Sequence, residues 1–250
     1  MGAKVIRVSR NELVSLLKRV LEGFGYPVGI YEDAARTVVW HEMNELDGLE
    51  ELRLALPELD SGSPVFPEIM TEDENLIVVD AHGGSCITVG GLLVEIACAR
   101  AISNDLAIVQ VRNCRNRCMI LERLHNASQR GLSFAAYWLD NGVVNLTTMT
   151  DAAGVWMTYD AENWPLGNVH SMYIVSSPSM MSVQSHLNTM LSPDSRSQSR
   201  ITVGVMQTGY ERAIEQGISV DEDLWGQLEK LVARILVPAT PSSRTGAGPR

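Results

Sequence analysis

Apolar residues recur at helical spacing through the first sixty positions of the chain. Ser9 and Glu12 set a capping box ahead of Leu13, Leu16, Leu17, Val20, Leu21 and Phe24. Gly23, Gly25 and Pro27 end that helix. A second amphipathic run carries Ala35, Val38, Val39, Met43 and Leu46. Asp47 and Glu50 supply another capping box before Leu49, Leu52, Leu54 and Leu56, and Pro57 closes that run. Residues 61–74, punctuated by Pro and Ser, predict a loop. The pattern then changes to short strands between helices. Strands are expected at Leu76–Val79, Ala107–Val111 and Leu132–Trp138, with helices at Val89–Ala101 and Asn116–Arg130. Such alternation predicts parallel β-α-β units with right-handed crossovers.

From Met157 to Ser199 the period is lost. Ten serines, Pro178 and Pro193 within residues 171–200 predict a mobile stretch near 176–200. A strand is expected at Ile201–Met206. A closing helix is then expected, capped by Ser219 and Glu222, with Leu224, Leu228, Leu231, Val232, Ile235 and Leu236 on one face. The expected organisation is a helical segment over 1–60, an α/β domain over 61–218 and a disordered tail over 239–250.

Composition narrows the function classes. The 250 residues carry 30 acidic and 20 basic side chains, a net charge of −10, and 45% are apolar against 20% charged. That balance suits a globular core and excludes a disordered chain. The acidic surplus argues against nucleic acid or an anionic membrane as a partner of the whole surface. No apolar run is expected to reach the roughly 18 residues of a spanning helix. Met1–Ile6 carries no hydrophobic signal segment, so the expected location is the cytoplasm. Cys86, Cys98, Cys114 and Cys118 are therefore expected as reduced, buried thiols, and no second pair completes a zinc site around Cys114 and Cys118. His41-Glu42-Met43-Asn44-Glu45 lacks the second histidine of a zinc-protease helix. Glycine-rich dinucleotide, Walker and nucleophile-elbow motifs are absent from the sequence.

One segment stands out chemically. Arg112-Asn113-Cys114-Arg115-Asn116-Arg117 places three arginines after a predicted strand and at the start of a predicted helix. That is where α/β sheets bind ligands, and arginine grips carboxylate or phosphate through paired hydrogen bonds. The other reading is a surface turn whose arginines pair with acids such as Glu122. Asp47 likewise reads either as a helix cap or as a general acid or base. His82, beside Gly83-Gly84 at a strand end, is a possible ligand contact, whereas His170 and His186 fall where the pattern is silent.

Several segments, in order, resemble the type 2 malate/L-lactate dehydrogenase-like oxidoreductases. Asn44-Glu-Leu-Asp-Gly-Leu-Glu-Glu-Leu52 lies where that family carries Asp-Ser-His-Gly. Val78-Val-Asp-Ala-His-Gly-Gly84 is similar to its strand ending in Asp and glycines, and Val111–Cys118 falls on its Asn-Ser-Asn-His-Phe-Gly loop. Pro165-Leu-Gly-Asn168 looks like a shortened Leu-Gly-Thr-Asn-Pro. Gly209-Tyr-Glu-Arg-Ala, Gly217-Ile-Ser-Val and Trp225–Leu231 resemble the closing segment. The resemblance implies a non-Rossmann α/β fold with a partly parallel sheet, in which the N-terminal helical segment packs with a C-terminal helix over 219–237. It also implies a homodimer and NAD(P)-dependent hydride transfer on a small 2-hydroxy, 2-keto or cyclic imino acid.

The sequence departs from that pattern at the chemistry. Asp47 stands at the family's catalytic His, Asn116 at the His of its cofactor loop and Cys118 at that loop's Gly. No Asp-x-Ala-Thr-Ser segment is found, and the chain is expected to be a shortened member, missing a part between about Ser177 and Gly209. Three functions therefore stand. The first is an oxidoreductase using NAD or NADP, with Asp47 or His41 as proton relay. The second is a catalytically degenerate ligand-binding or partner subunit. The third is a cofactor-free lyase or isomerase with Asp47 as base. The candidate cofactor- or substrate-binding residues are Asn113, Arg115, Asn116, Arg117 and Asn168. The expected ligand is a small carboxylate held by Arg115 and Arg117, and no metal is expected.

Overall fold

The computed structural model describes residues 4–61, 63–140, 142–151, 153–160, 171–190 and 197–233. The predicted opening helix is α1 (Arg10–Gly23), and its capping box forms. Ser9 Oγ accepts the Glu12 amide at 3.2 Å, and the Ser9 amide donates to Glu12 Oε2 at 2.7 Å. Helices α2 (Val28–Met43) and α3 (Gly48–Ser61) follow. Pro57 does not close α3 but lies inside it, because Leu52, Ala55, Leu56 and Leu59 keep a buried stripe running to its end. Tertiary packing here overrides a local breaker.

The strands are β1 (Val5–Val8), β2 (Glu68–Glu72), β3 (Leu76–Asp80), β4 (Ala107–Arg112) and β5 (Ser133–Asp140). They continue as β6 (Val143–Met149), β7 (Gly154–Asp160), β8 (Met172–Ser177), β9 (Ser197–Thr202) and β10 (Ile218–Asp221). The remaining helices are α4 (Cys86–Asn104), α5 (Leu121–Ser128, after a 3-10 turn at Arg117–Ile120), α6 (Met180–Met190), α7 (Val203–Gln216) and α8 (Glu222–Val232). Eight strands form one sheet in the order β2-β3-β4-β8-β5-β6-β7-β9, while β1 and β10 pair separately.

The fold is mixed α/β with a partly parallel sheet, as expected, and the described strands form no closed barrel. The parallel part is smaller than the alternation predicted. Among the described strands only β3 and β4 pair in parallel, and β8 inserts antiparallel between β4 and β5. An apolar run cannot reveal a strand that arrives sixty residues later. Four local corrections have similar origins. Residues 68–72 of the predicted loop form the edge strand β2, exposed along its whole length. The strand expected at 201–206 ends at Thr202, because buried Met206 and half-buried Tyr210 and Ala213 share a helical face. The cap of α8 is Asp221, whose carboxylate accepts the Leu224 amide at 2.9 Å, rather than Ser219. The Ser-rich stretch contains α6, and the expected tail lies outside the described residues.

Helix α4 is long and apolar enough to cross a membrane by those two criteria alone, contrary to the sequence expectation. It is the central helix of the main core, packed on α2, α5, β4 and β8 with nine residues buried. That core joins α1, α2, α3 and α8 to one face of the sheet. Leu13, Leu17, Leu52 and Leu93 are fully buried within it, each contributing about 2 kcal/mol relative to exposure. Alternate residues serve the opposite face: Phe134, Ala136 and Trp138 point to the main core, Ala135 and Tyr137 to a smaller one under α6.

Candidate functional site

The C-terminal ends of the parallel pair β3 and β4 lie side by side, and the loops leaving them stay paired. The Ala81 amide donates to Arg112 O (2.9 Å), Gly83 to Asn113 O (2.8 Å), Arg115 to Gly84 O (3.1 Å) and Cys86 to Arg115 O (2.8 Å). Three non-glycine residues in these loops adopt left-handed backbone: His82 (φ 50°), Asn113 (φ 53°) and Asn116 (φ 49°). Such conformations cost free energy and persist where surrounding contacts impose them, often at ligand sites.

Those contacts centre on Asp80. Its carboxylate accepts the His82 amide at 2.7 Å and Asn113 Nδ2 at 3.0 Å on both oxygens. The Asn113 bonds, then the His82 amide, hold the Asp80 carboxyl below its ordinary range. The His82 imidazole stands between Glu68 (3.4 Å) and Asp80 (3.7 Å). Arg115 Nη1 pairs with Glu58, and its Nη2 faces Gly83. His82, Gly83, Asn113 and Arg115 together line a cavity of about 290 Å³. An anion here would meet the remaining Arg115 N–H groups and the His82 ring.

The other residues of the arginine segment point elsewhere. Asn116 is a tie: Ser85 Oγ donates to its Oδ1 (2.8 Å), and its Nδ2 donates to Glu51 Oε2 (2.8 Å). Arg117 is buried, donating to Cys114 O (2.9 Å) and Leu139 O (3.0 Å), with Asp140 at 3.7 Å. Its Nε has no partner among the described residues. Arg117 therefore staples the loop to the end of β5. Glu122 pairs with none of the three arginines; its partners include Thr37, Asn126 and Arg123. The thiols of Cys86, Cys114 and Cys98 are buried and Cys118 is half-buried; burial raises Cys98 and Cys118, as does the neighbouring Cys114 thiol, together with burial, for Cys86.

His41 and Asp47 do not reach this cavity. His41 is fully buried in α2, with Nδ1 2.8 Å from Thr37 O and Nε2 3.2 Å from Cys118 O. Burial lowers its pKa to about 4, so the ring is neutral and its single N–H serves one of those carbonyls. Asp47 is exposed with φ 52°, and the carboxylate that receives an α3 amide is that of Glu42, 2.9 Å from the Leu49 nitrogen. Gly48 has a steric role: a Cβ there would lie 2.2 Å from Val38 O and 2.7 Å from the Glu42 nitrogen. Asn168 lies outside the described residues. His82, a possible ligand contact in the sequence by its adjacency to Gly83-Gly84, joins the lining here.

A dinucleotide would need free backbone amides for its pyrophosphate at a helix start. At α4 they are taken: Cys86 donates to Arg115 O, Ile87 to Ser85 Oγ (3.3 Å), and Thr88 and Val89 to Ser85 O. Glu58, Glu68 and Asp80 add negative charge around the cavity. The described residues of this site do not fit a dinucleotide.

Comparison with known proteins defines the class of fold. A family described as a protein of unknown function (DUF3726) matches residues 8–88. No curated protein matches the sequence. Among solved structures, a dehydrogenase from Sinorhizobium meliloti superposes over 92% of this chain and 100% of its own, with TM-score 0.69 and 13% identity. Malate dehydrogenase from Pyrococcus horikoshii OT3 matches over 95% and 98%, at TM-score 0.66 and 12% identity. Delta1-piperideine-2-carboxylate reductase from Pseudomonas syringae pvar. tomato matches over 90% and 99%, at TM-score 0.61 and 12% identity. The fold is malate/lactate dehydrogenase-like. These matches run across nearly the whole of those chains and do not show the expected shortening.

Proposed function

We propose that the protein is a small-carboxylate-binding member of the malate/lactate dehydrogenase-like group, with the ligand at the ends of β3 and β4. The observation that carries this reading is the cavity where Arg115, His82 and Asn113 meet on loops held in left-handed backbone. Arg115 supplies the charge, and Asn113 and Asp80 fix the His82 backbone so that its ring stands at the mouth. The ligand class is a small 2-hydroxy, 2-keto or cyclic imino acid. In this reading the protein works in the cytoplasm as a homodimer, and its acidic balance, −10 overall, keeps nucleic acid and anionic membranes from being its partners.

A second reading, an NAD(P)-dependent oxidoreductase on the same acids, is favoured by the dehydrogenases and the reductase among the similar structures. Calorimetric titration separates the two. The first reading expects lactate, malate or pyruvate to bind, Arg115→Ala to abolish that binding, and neither NADH nor NADPH to bind at millimolar concentration. Binding of either cofactor together with turnover would replace it with the second, and carboxylate affinity unchanged in Arg115→Ala would sink both.

A further inference from the structure

A different cavity, of about 260 Å³, opens between the C-terminal half of α2, the end of α5 and the first turns of α7. It shares no residue with the strand-end site. Among the described residues its wall carries Arg10 and Arg36 and no carboxylate, on a protein with ten more acidic than basic side chains. Arg36 leans on Glu32 and Asp33 of its own helix. The Arg10 side chain has no ion pair or hydrogen bond among the described residues.

The polar lining is biased in a second way. Asn44 is only 7% exposed, and its Nδ2 donates to Trp40 O at 2.7 Å. Asn126 donates its amide to Glu122 Oε1, and Gln207 donates to Glu211 Oε1 at 3.1 Å. In each case an acceptor fixes which end of the amide is nitrogen, leaving the amide oxygen without a partner among the described residues. The cavity thus offers three acceptors and one unpaired guanidinium. The rings of Trp40 and His125, 5.6 Å apart between centroids and tilted by 31°, form its flat part. A volume just under the roughly 300 Å³ at which drug-sized pockets begin suits a single small ring.

We propose that this cavity binds a small planar heteroaromatic carboxylate bearing N–H donors, through the Arg10 guanidinium, the Asn44 Oδ1 acceptor and the Trp40 and His125 rings. The anion answers the unpaired arginine, the N–H edge answers the amide oxygens, and the flat ring matches the aromatic wall. Neither group alone satisfies the site. This assignment stands independently of the strand-end reading.

Three probes dissect it by isothermal titration of the full chain. Orotate carries the ring, the N–H edge and the carboxylate; benzoate lacks the N–H edge, and uracil lacks the carboxylate. Orotate is expected to bind at least about tenfold more tightly than either, the scale of one charge-assisted pair. Arg10→Gln, on an exposed helix start, weakens orotate and benzoate about tenfold and leaves uracil unchanged. Asn44→Leu weakens orotate and uracil and leaves benzoate unchanged. Should that variant unfold, Gln207→Leu on exposed α7 is read for the same split. Arg115→Ala leaves orotate affinity unchanged. The proposal is overturned by absence of orotate binding at millimolar concentration, by variants that affect all three probes alike, or by loss of orotate binding in Arg115→Ala.

Discussion

Two polar clusters in this molecule use the same side-chain types and differ in what is left over. Under α2 and α5, His41 faces the Thr37 and Cys118 carbonyls, Thr37 donates to Glu122 at 2.9 Å, and Arg123 spans Glu122 (3.1 Å) and Asp33 (3.3 Å). At the ends of β3 and β4, His82, Asp80, Asn113 and Arg115 form a similar set around open space. The first cluster is closed, so its histidine is neutral and its charges are answered within the protein. The second keeps spare hydrogen-bonding capacity on Arg115, an exposed His82 ring held only loosely between Glu68 and Asp80, and a strained backbone beneath it. Ligand chemistry needs the spare capacity, so a histidine's place in a chemical motif is a weaker guide than what its ring nitrogens already touch.

The closed cluster can be broken from the outside. Gly48→Ala places a Cβ against the α2 backbone at Val38 and Glu42, next to His41, so the two helices must separate. Overpacking against backbone, which cannot rotate away, is expected to cost about 3 kcal/mol or more, the largest of the effects. A urea midpoint equal to wild type would show that the α2–α3 contact is looser than described.

The next effect concerns protonation of the same cluster. The His41 pKa, about 4 in the folded protein, lies below the ordinary histidine value, so the unfolded chain takes up a proton that the folded protein refuses. Stability from this group is complete above pH 6.5 and is lost as pH falls to about 4, amounting to about 3 kcal/mol. His41→Gln removes that loss. Urea unfolding of both proteins across the window should show the wild type falling relative to the variant; parallel curves would place His41 in contact with water.

These contrasts explain what the sequence made legible. The Ser9–Glu12 box and the leucines of α1 are local signals, and they formed as expected. The parallel β3–β4 pair and the paired loops at its ends also follow from local order. Insertion of β8 between β4 and β5 does not, since Met172–Ser177 looks the same in an edge or a central strand. Within Arg112–Arg117, spacing could not show that Arg115 faces a cavity while Arg117 is buried on the Cys114 and Leu139 carbonyls. That distinction depends on where β5 ends. Asp47 looked like a cap because its spacing to Glu50 is right, yet its left-handed backbone leaves Glu42 to receive the amide.

The smallest effect sharpens the open cluster. His82 adopts left-handed backbone at φ 50°, next to Gly83 at φ 81°, where glycine is the less strained residue. His82→Gly relieves that strain but gives the unfolded chain more freedom, so stability should change by no more than about 1 kcal/mol. Affinity for the small carboxylate should nevertheless fall, because the ring that closes the mouth beside Glu68 is gone. A closed structural cluster behaves in the opposite way, losing stability with its histidine. If His82→Gly destabilises the protein by several kcal/mol and leaves carboxylate binding intact, the two clusters are alike and the strand-end loops are structural.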